Sequence, residues 1–292
     1  MTAPQEFRTG KGHRDENFPV ASRLIPARHR GVILAFYEFV RTADDIADHA
    51  TLTAEKKIEL LDGLDADLTG TGEGSPQAVA LRRALAARGL SSEHARDLLK
   101  AFRLDATKKR YADWDDLIGY CTYSAMPVGR FVLDVHGESR TTWPASDAIC
   151  SALQIINHIQ DCADDYRKLD RVYLPLDALA ANGTGVEALG AARASPALRQ
   201  CLARLALRTR ALLVEGDALP VLVRDFRLGL EISVISALAY RLTSVIATHD
   251  PLSEGVHFGK PQVAAISLLA ILTGAARRLV RRSPLPASAV HP

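Results

Sequence analysis

Four side chains near the start of the sequence combine the types and spacing needed to handle a polyanion. Tyr37, Arg41, Asp44 and Asp48 follow one another at steps of four, three and four residues, which puts them on one face of a helix. Carboxylates one turn apart repel unless a cation joins them. Asp44 and Asp48 therefore read either as a solvated acidic surface or as oxygen ligands. Their neighbours Phe36, Phe39, Val40 and Ala43 are apolar, which weakens the first reading. A second stripe repeats the pattern: Gln154, Asn157, Asp161 and Asp165 stand at steps of three, four and four among Ile155, Ile156, Ile159 and Cys162. Burying such groups without partners costs on the order of several kcal/mol, so this stripe is either a polar network tying helices together or a ligand site.

Set face to face, the two stripes would offer hard oxygen ligands of the kind that Mg²⁺ accepts alongside substrate phosphates. Zinc fits poorly, because the chain has no HExxH motif. A di-iron bundle would want two Glu-x-x-His motifs, and the only such spacing is Glu254-Gly255-Val256-His257, in a loop-like stretch. Arg41 shares the first stripe, and Arg171 with Tyr173 closely follows the second. Guanidinium groups beside metal ions would neutralise a departing diphosphate; each arginine taken alone also reads as a surface residue. With neither a P-loop nor a GxGxxG run present, nucleotide phosphates are a poor fit.

The elements that would position these residues are helices. Apolar residues recur at helical spacing over about 28–49, after Thr53, and over about 76–88, 92–107, 113–137, 146–167, 195–217, 219–249 and 261–282. Ser91/Ser92 before Glu93, and Ser146 before Asp147, read as helix caps. Residues 69–75 form a Gly-rich loop, and 176–194 a loop with one short helix. Strand alternation and internal repeats are absent, so the expectation is an all-α single domain over 16–282, between tails at 1–15 and 283–292.

The 292 residues are 48% hydrophobic and 24% charged, with a formal net charge of +2. That balance suits a soluble globular protein and argues against nucleic acid as a partner. Cys121, Cys150, Cys162 and Cys201 form no CxxC pair and read as small buried hydrophobes in a reducing compartment. The polar N-terminus lacks the apolar core of a signal peptide, and no stretch reads as a membrane span, which points to the cytoplasm. Val263 to Ala276 is apolar and precedes Arg277, Arg278, Arg281 and Arg282. It reads as a core helix or as a peripheral contact, through 263–282, with an anionic membrane.

With these residues in place, the chain resembles the squalene/phytoene synthase family. Asp44-Asp45-Ile46-Ala47-Asp48 with Tyr37 and Arg41 matches its first aspartate motif. Gln154, Asn157, Asp161, Asp164 and Asp165, followed by Arg171-Val172-Tyr173, match its second. Tyr120-Cys121-Thr122-Tyr123-Ser124-Ala125, ending in Val128-Gly129, matches its middle signature, so the likeness runs from about Asn17 to Lys260. The resemblance implies a single-domain helical bundle of the isoprenoid synthase type with a central apolar cavity. It implies Mg²⁺ on Asp44, Asp48, Asp161 and Asp165, and a substrate diphosphate at Tyr37, Arg41, Arg171 and Tyr173. Catalytic roles fall to Tyr120, Tyr123, Gln154 and Asn157, although both tyrosines also read as ordinary half-buried helix residues.

Within the family, Ala125-Met126-Pro127-Val128-Gly129, the opening Glu16 to Ser22 and Asn157 to Cys162 are similar to the hydroxysqualene-forming branch. That branch implies presqualene diphosphate, or another isoprenoid diphosphate, as substrate, water as the capturing nucleophile and no nicotinamide. A pathway partner enzyme would supply the substrate. The neighbouring activities (presqualene diphosphate, squalene or phytoene/dehydrosqualene synthesis) and a non-catalytic scaffold remain as alternatives. Gln160 stands where many relatives carry arginine, and the expected consequence is a weaker grip on one diphosphate.

Overall fold

The computed structural model describes residues 26–282 apart from residue 73. The expected tails, and the family-like run from Glu16 to Ser22, lie outside the described residues. Helix α1 (Ala27–Ala47) buries Val32, Ile33, Phe36, Phe39, Ala43 and Ile46, so its stripe of Tyr37, Arg41, Asp44 and Asp48 lies off the most buried face. Helix α2 (Ala54–Thr69) starts where Thr53 accepts from the Lys56 N–H and stops at Gly70, whose φ of 92° suits glycine. Asp67 then accepts from the Gly74 and Ser75 N–H groups, which fixes the Gly-rich turn before α3 (Pro76–Ala86). Together with α4 (Glu93–Thr107), these helices enclose a core around Phe39, Leu61, Leu81 and Leu99.

The remaining helices are α5 (Trp114–Ser124), α6 (Met126–Val135), α7 (Trp143–Gln160), α8 (Cys162–Leu169), α9 (Leu176–Ala181), α10 (Pro196–Gly216), α11 (Leu219–Leu222), α12 (Phe226–Ile246) and α13 (Lys260–Arg282). A second core joins α5, α7, α8, α9, α10 and α12, a smaller one seats α11 against α6, α7 and α12, and α13 packs on α12. The described residues hold no strand beyond one isolated parallel bridge between Arg110 and Val172. That bridge positions the site, because the Val172 N–H donates to the Lys109 carbonyl at 2.9 Å and so seats Arg171 and Tyr173 beside the end of α4.

Three long helical patterns are each broken. The 113–137 pattern divides at Ala125, whose ψ of −47° comes with a φ of −122°, ahead of Pro127, which has no N–H to donate. The 146–167 pattern begins earlier, at Trp143, with Pro144 in the first turn; Ser146 is therefore a buried helical residue and not a cap. It breaks at Asp161, which closes α7 and opens α8. The 219–249 pattern divides before α12, whose N-cap Asp225 accepts from the N–H groups of Arg227 and Leu228.

Two further expectations change. Helices over 226–246 and 260–280 are long and apolar enough to cross a membrane by composition, with 61% and 17% of their best windows buried. The first is a core helix. The second, α13, is not: it leans on α12 through Val234, Leu238 and Ala270 while Leu268, Leu269, Leu272, Leu279 and Val280 remain exposed. Among the four free cysteines, Cys121, Cys162 and Cys201 are buried as expected, whereas Cys150 is only half-buried.

Candidate active site at the meeting of two acidic helices

The end of α1 and the α7–α8 break are joined by Arg171. Its backbone N–H donates to the Asp165 carbonyl at 3.1 Å, which folds the chain after α8 back on itself. Its guanidinium donates to Asp48 at 2.9 Å, to the Tyr173 hydroxyl at 3.1 Å and to the Ala47 carbonyl at 3.4 Å. Buried Lys57 also donates to that carbonyl, at 2.8 Å. The C-terminus of α1 thus gathers two cations, which its unsatisfied carbonyls favour.

Arg41 donates to Asp44 at 2.8 Å and to buried Asp45 at 2.9 Å, so the first stripe carries its own cation. Burial, and then Asp48, raise Asp44 to about 7 against the pull of Arg41. Its side chain nevertheless keeps a third of its surface open, so it is surrounded by protein yet reachable. On the other side, burial and then Asp161 raise Asp165 to about 7. Asp161 is exposed, and Gln154 and Asn157 are half-buried. Gln154 lies 3.1 Å from His158 Nε2.

Asp105 escaped the sequence reading. Buried on α4, it accepts from the Tyr120 hydroxyl at 2.8 Å and the Tyr173 hydroxyl at 2.7 Å, and stands 3.9 Å from Arg171. Burial lifts it to about 6, although Arg171 and the two phenols pull the other way. His158 stacks on the Tyr173 ring at 3.6 Å between centroids, and burial followed by Arg171 lowers it to about 3, so it is neutral. One signal could have exposed Asp105: it sits on the apolar repeat of Leu98 and Phe102 at steps of four and three, where an acid has no solvent.

Tyr120 and Tyr173 therefore join the Arg171 network. Tyr123 does not: it is 37% exposed and packs under Lys100, whose Nζ lies 5.2 Å from the ring centroid. Gln160 corrects the expectation of a lost diphosphate contact. Its side chain is buried and donates to the Val256 carbonyl at 2.5 Å, so it ties α7 to the segment before α13. Tyr37 and Val40 open onto an apolar cavity of about 330 Å³, floored by Leu219, Leu228 and Ile232.

The donor set suits Mg²⁺. Asp44 and Asp165 are held at about 7 partly by neighbouring carboxylates, and a hard divalent cation is the group that relieves such crowding. Among the described residues no three His, Cys, Asp or Glu side chains converge as a closed cage. One or two carboxylates on each side suit an ion that shares its coordination with water and substrate phosphate.

An all-α bundle in which the two acidic helices α1 and α7 also line an apolar cavity is the architecture of an isoprenoid synthase. Residues 12–262 match the squalene/phytoene synthase family, and the chain belongs to it. It is 58% identical to the hydroxysqualene synthase of Rhodopseudomonas palustris over 98% of both chains, and 53% identical to that of Sinorhizobium fredii over 97% of both. Among solved structures it is similar to squalene synthase HpnC from Alicyclobacillus acidocaldarius, with a TM-score of 0.69 and 32% identity, covering 78% of this chain and 86% of that one.

Proposed function

We propose that this enzyme converts presqualene diphosphate to hydroxysqualene and diphosphate with Mg²⁺ and without a nicotinamide. The observation that carries the reading is the Arg171–Asp48 contact, which ties the end of the first acidic helix to the chain just after the second; both helices also line the apolar cavity, through Tyr37 and Val40 on one side and Cys150 and Leu153 on the other. The full-length likeness to hydroxysqualene synthases favours this activity over the neighbouring ones. Both aspartate sets are intact, which argues against a non-catalytic scaffold.

Asp44, Asp48, Asp161 and Asp165 would hold Mg²⁺, whose charge would assist departure of the diphosphate. Arg41, Arg171, Tyr37 and Tyr173 bind that leaving group. The C–O bond breaks with its electron pair leaving on diphosphate. The cyclopropylcarbinyl cation rearranges between apolar walls, and a water oxygen bonds to it with loss of one proton. The Tyr120 ring stabilises the cation, while Gln154 and Asn157 orient water.

We also read the enzyme as cytoplasmic, working at the inner membrane face through residues 263–282 and receiving substrate from a partner enzyme. The exposed leucines of α13 support the membrane contact. The reaction is tested by incubating purified protein with presqualene diphosphate and Mg²⁺, without NADPH, and identifying products by mass spectrometry. Hydroxysqualene is expected. Squalene formed only with NADPH, or turnover of farnesyl diphosphate alone, would replace the named reaction.

A further inference from the structure

Helix α13 is fixed in place while showing an apolar face outward. Gly274 lets it approach α12 so closely that an added methyl would fall 2.6 Å from Ser233 Oγ. Arg278 is buried and donates to the carbonyls of Pro220, Val223 and Arg224, which clamps α13 to the α11–α12 corner. On the opposite face, Leu268, Leu269, Leu272, Leu279 and Val280 are 60 to 77% exposed. Lys260 and Arg277 of the same helix are exposed cations, the latter 3.5 Å from Asp217. A spanning helix would have to surrender the Arg278 bonds, so the helix is suited to lie along a bilayer surface.

The same corner borders the cavity. Leu219 of the four-residue helix α11 lines the inner cavity. Val221, two residues on, lines an outer groove with Val214, Ala218, Ala276 and Val280. A single short helix therefore separates the inner apolar space from the lipid-facing side. Moving a C30 chain from such a space into water costs about 0.8 kcal/mol per methylene, whereas passage into a bilayer avoids that cost.

We propose that the α13 face docks on an anionic phospholipid bilayer and that the α11 corner is where C30 chains pass between cavity and lipid. Exposed Lys260 and Arg277, near the two ends of the helix, match an anionic surface. The proposal rests on the substrate and membrane readings given above.

Docking is tested by flotation of the full-length protein with phosphatidylcholine vesicles with and without phosphatidylglycerol. The wild type should float with the anionic vesicles, and Leu269→Glu combined with Leu272→Glu should not. Passage is tested with Val221→Asp and the isosteric Val221→Thr, each checked for wild-type melting temperature, flotation and single-turnover yield. Anionic vesicles should raise wild-type steady-state turnover severalfold; Val221→Asp should lose most of that gain and Val221→Thr part of it. Full stimulation in a folded, floating Val221→Asp protein overturns the route but leaves the docking. A wild type that does not float, or a lipid-free dimer that buries Leu269 and Leu272, overturns the docking itself. No turnover of presqualene diphosphate by the wild type removes instead the reaction on which the proposal stands.

Discussion

Arg171 donates to Asp48 across 2.9 Å, a contact between residues 123 apart in sequence that ties the end of the first acidic segment to the chain just after the second. The arginine is 3% exposed and the aspartate 38%, so the contact runs from the buried network out to the surface. Arg171→Gln should leave Asp48 and Asp105 without their shared cation. Breaking a buried ion pair costs about 3–5 kcal/mol, and the partial exposure of Asp48 places this loss at the lower end. Because donors to developing charge contribute about 10²–10³ in rate, turnover should fall at least a hundredfold. Urea melts and steady-state kinetics check both. A variant with wild-type stability and turnover would detach this contact from function.

The crowded carboxylates set the sign of a pH effect. Asp44 and Asp165 rise from an ordinary value of 3.8 to about 7 in the folded protein. Between those limits the native state holds protons that the unfolded chain has released, so metal-free stability should fall as pH rises from about 4 through 7. Mg²⁺ should reverse the trend, since it binds the ionised form and only the folded state assembles the site. Melting temperatures at pH 5 and pH 8, with EDTA or with Mg²⁺, test this. A metal-free protein that grows more stable across that range would contradict the assignment of these carboxylates.

Asp105→Asn keeps the shape of the side chain but replaces the anion that receives both phenols. Hydrogen bonds to charged groups contribute about 1.5–3 kcal/mol, and the amide can also present its NH₂ to a hydroxyl. The expected outcome at pH 8 is a destabilised but folded protein, with a smaller loss at pH 5, where Asp105, at about 6, is itself largely protonated. Equal losses at both pH values would show that charge on Asp105 is not what orders Tyr120 and Tyr173.

The two stripes were legible because helical spacing turns sequence distance into shared faces: residues three and four apart must align, whatever the rest of the fold does. The all-α class followed from the same periodicity. Asp105 was not legible, since its partners Tyr120 and Tyr173 come from other segments and one acid on an apolar face does not reveal what it meets. The helix breaks at Ala125 and Asp161 were hidden for a different reason: hydrophobic spacing continues across a kink that only backbone geometry records. Arg278 likewise looked like one of four basic residues after an apolar run, yet it is the buried clamp on three carbonyls.

Gly129, in the middle signature, has a packing role. A methyl there would overlap Ser146 Oγ and Cys150 Sγ where α6 meets α7. Gly129→Ala should therefore destabilise by about 1–3 kcal/mol through overpacking and should also disturb the cavity wall to which Gly129 contributes. A chemical denaturation midpoint equal to that of the wild type would show that α6 can shift at no cost.

Gln160 separates charge at the site from packing behind it. If it lay beside the diphosphate, Gln160→Arg would strengthen substrate binding. Its side chain instead is buried and donates to the Val256 carbonyl, close to His257 at 3.3 Å. An arginine placed there would bring an extra charge into an enclosed space beside the α12–α13 connection, and burying a charge without a partner is unfavourable. Gln160→Arg should thus lower the melting temperature without lowering KM. Gln160→Ala, which leaves the Val256 carbonyl without its donor, should cost about 1–3 kcal/mol. A lower KM for presqualene diphosphate in a fully stable Gln160→Arg protein would return this residue to the diphosphate site and reverse the structural assignment.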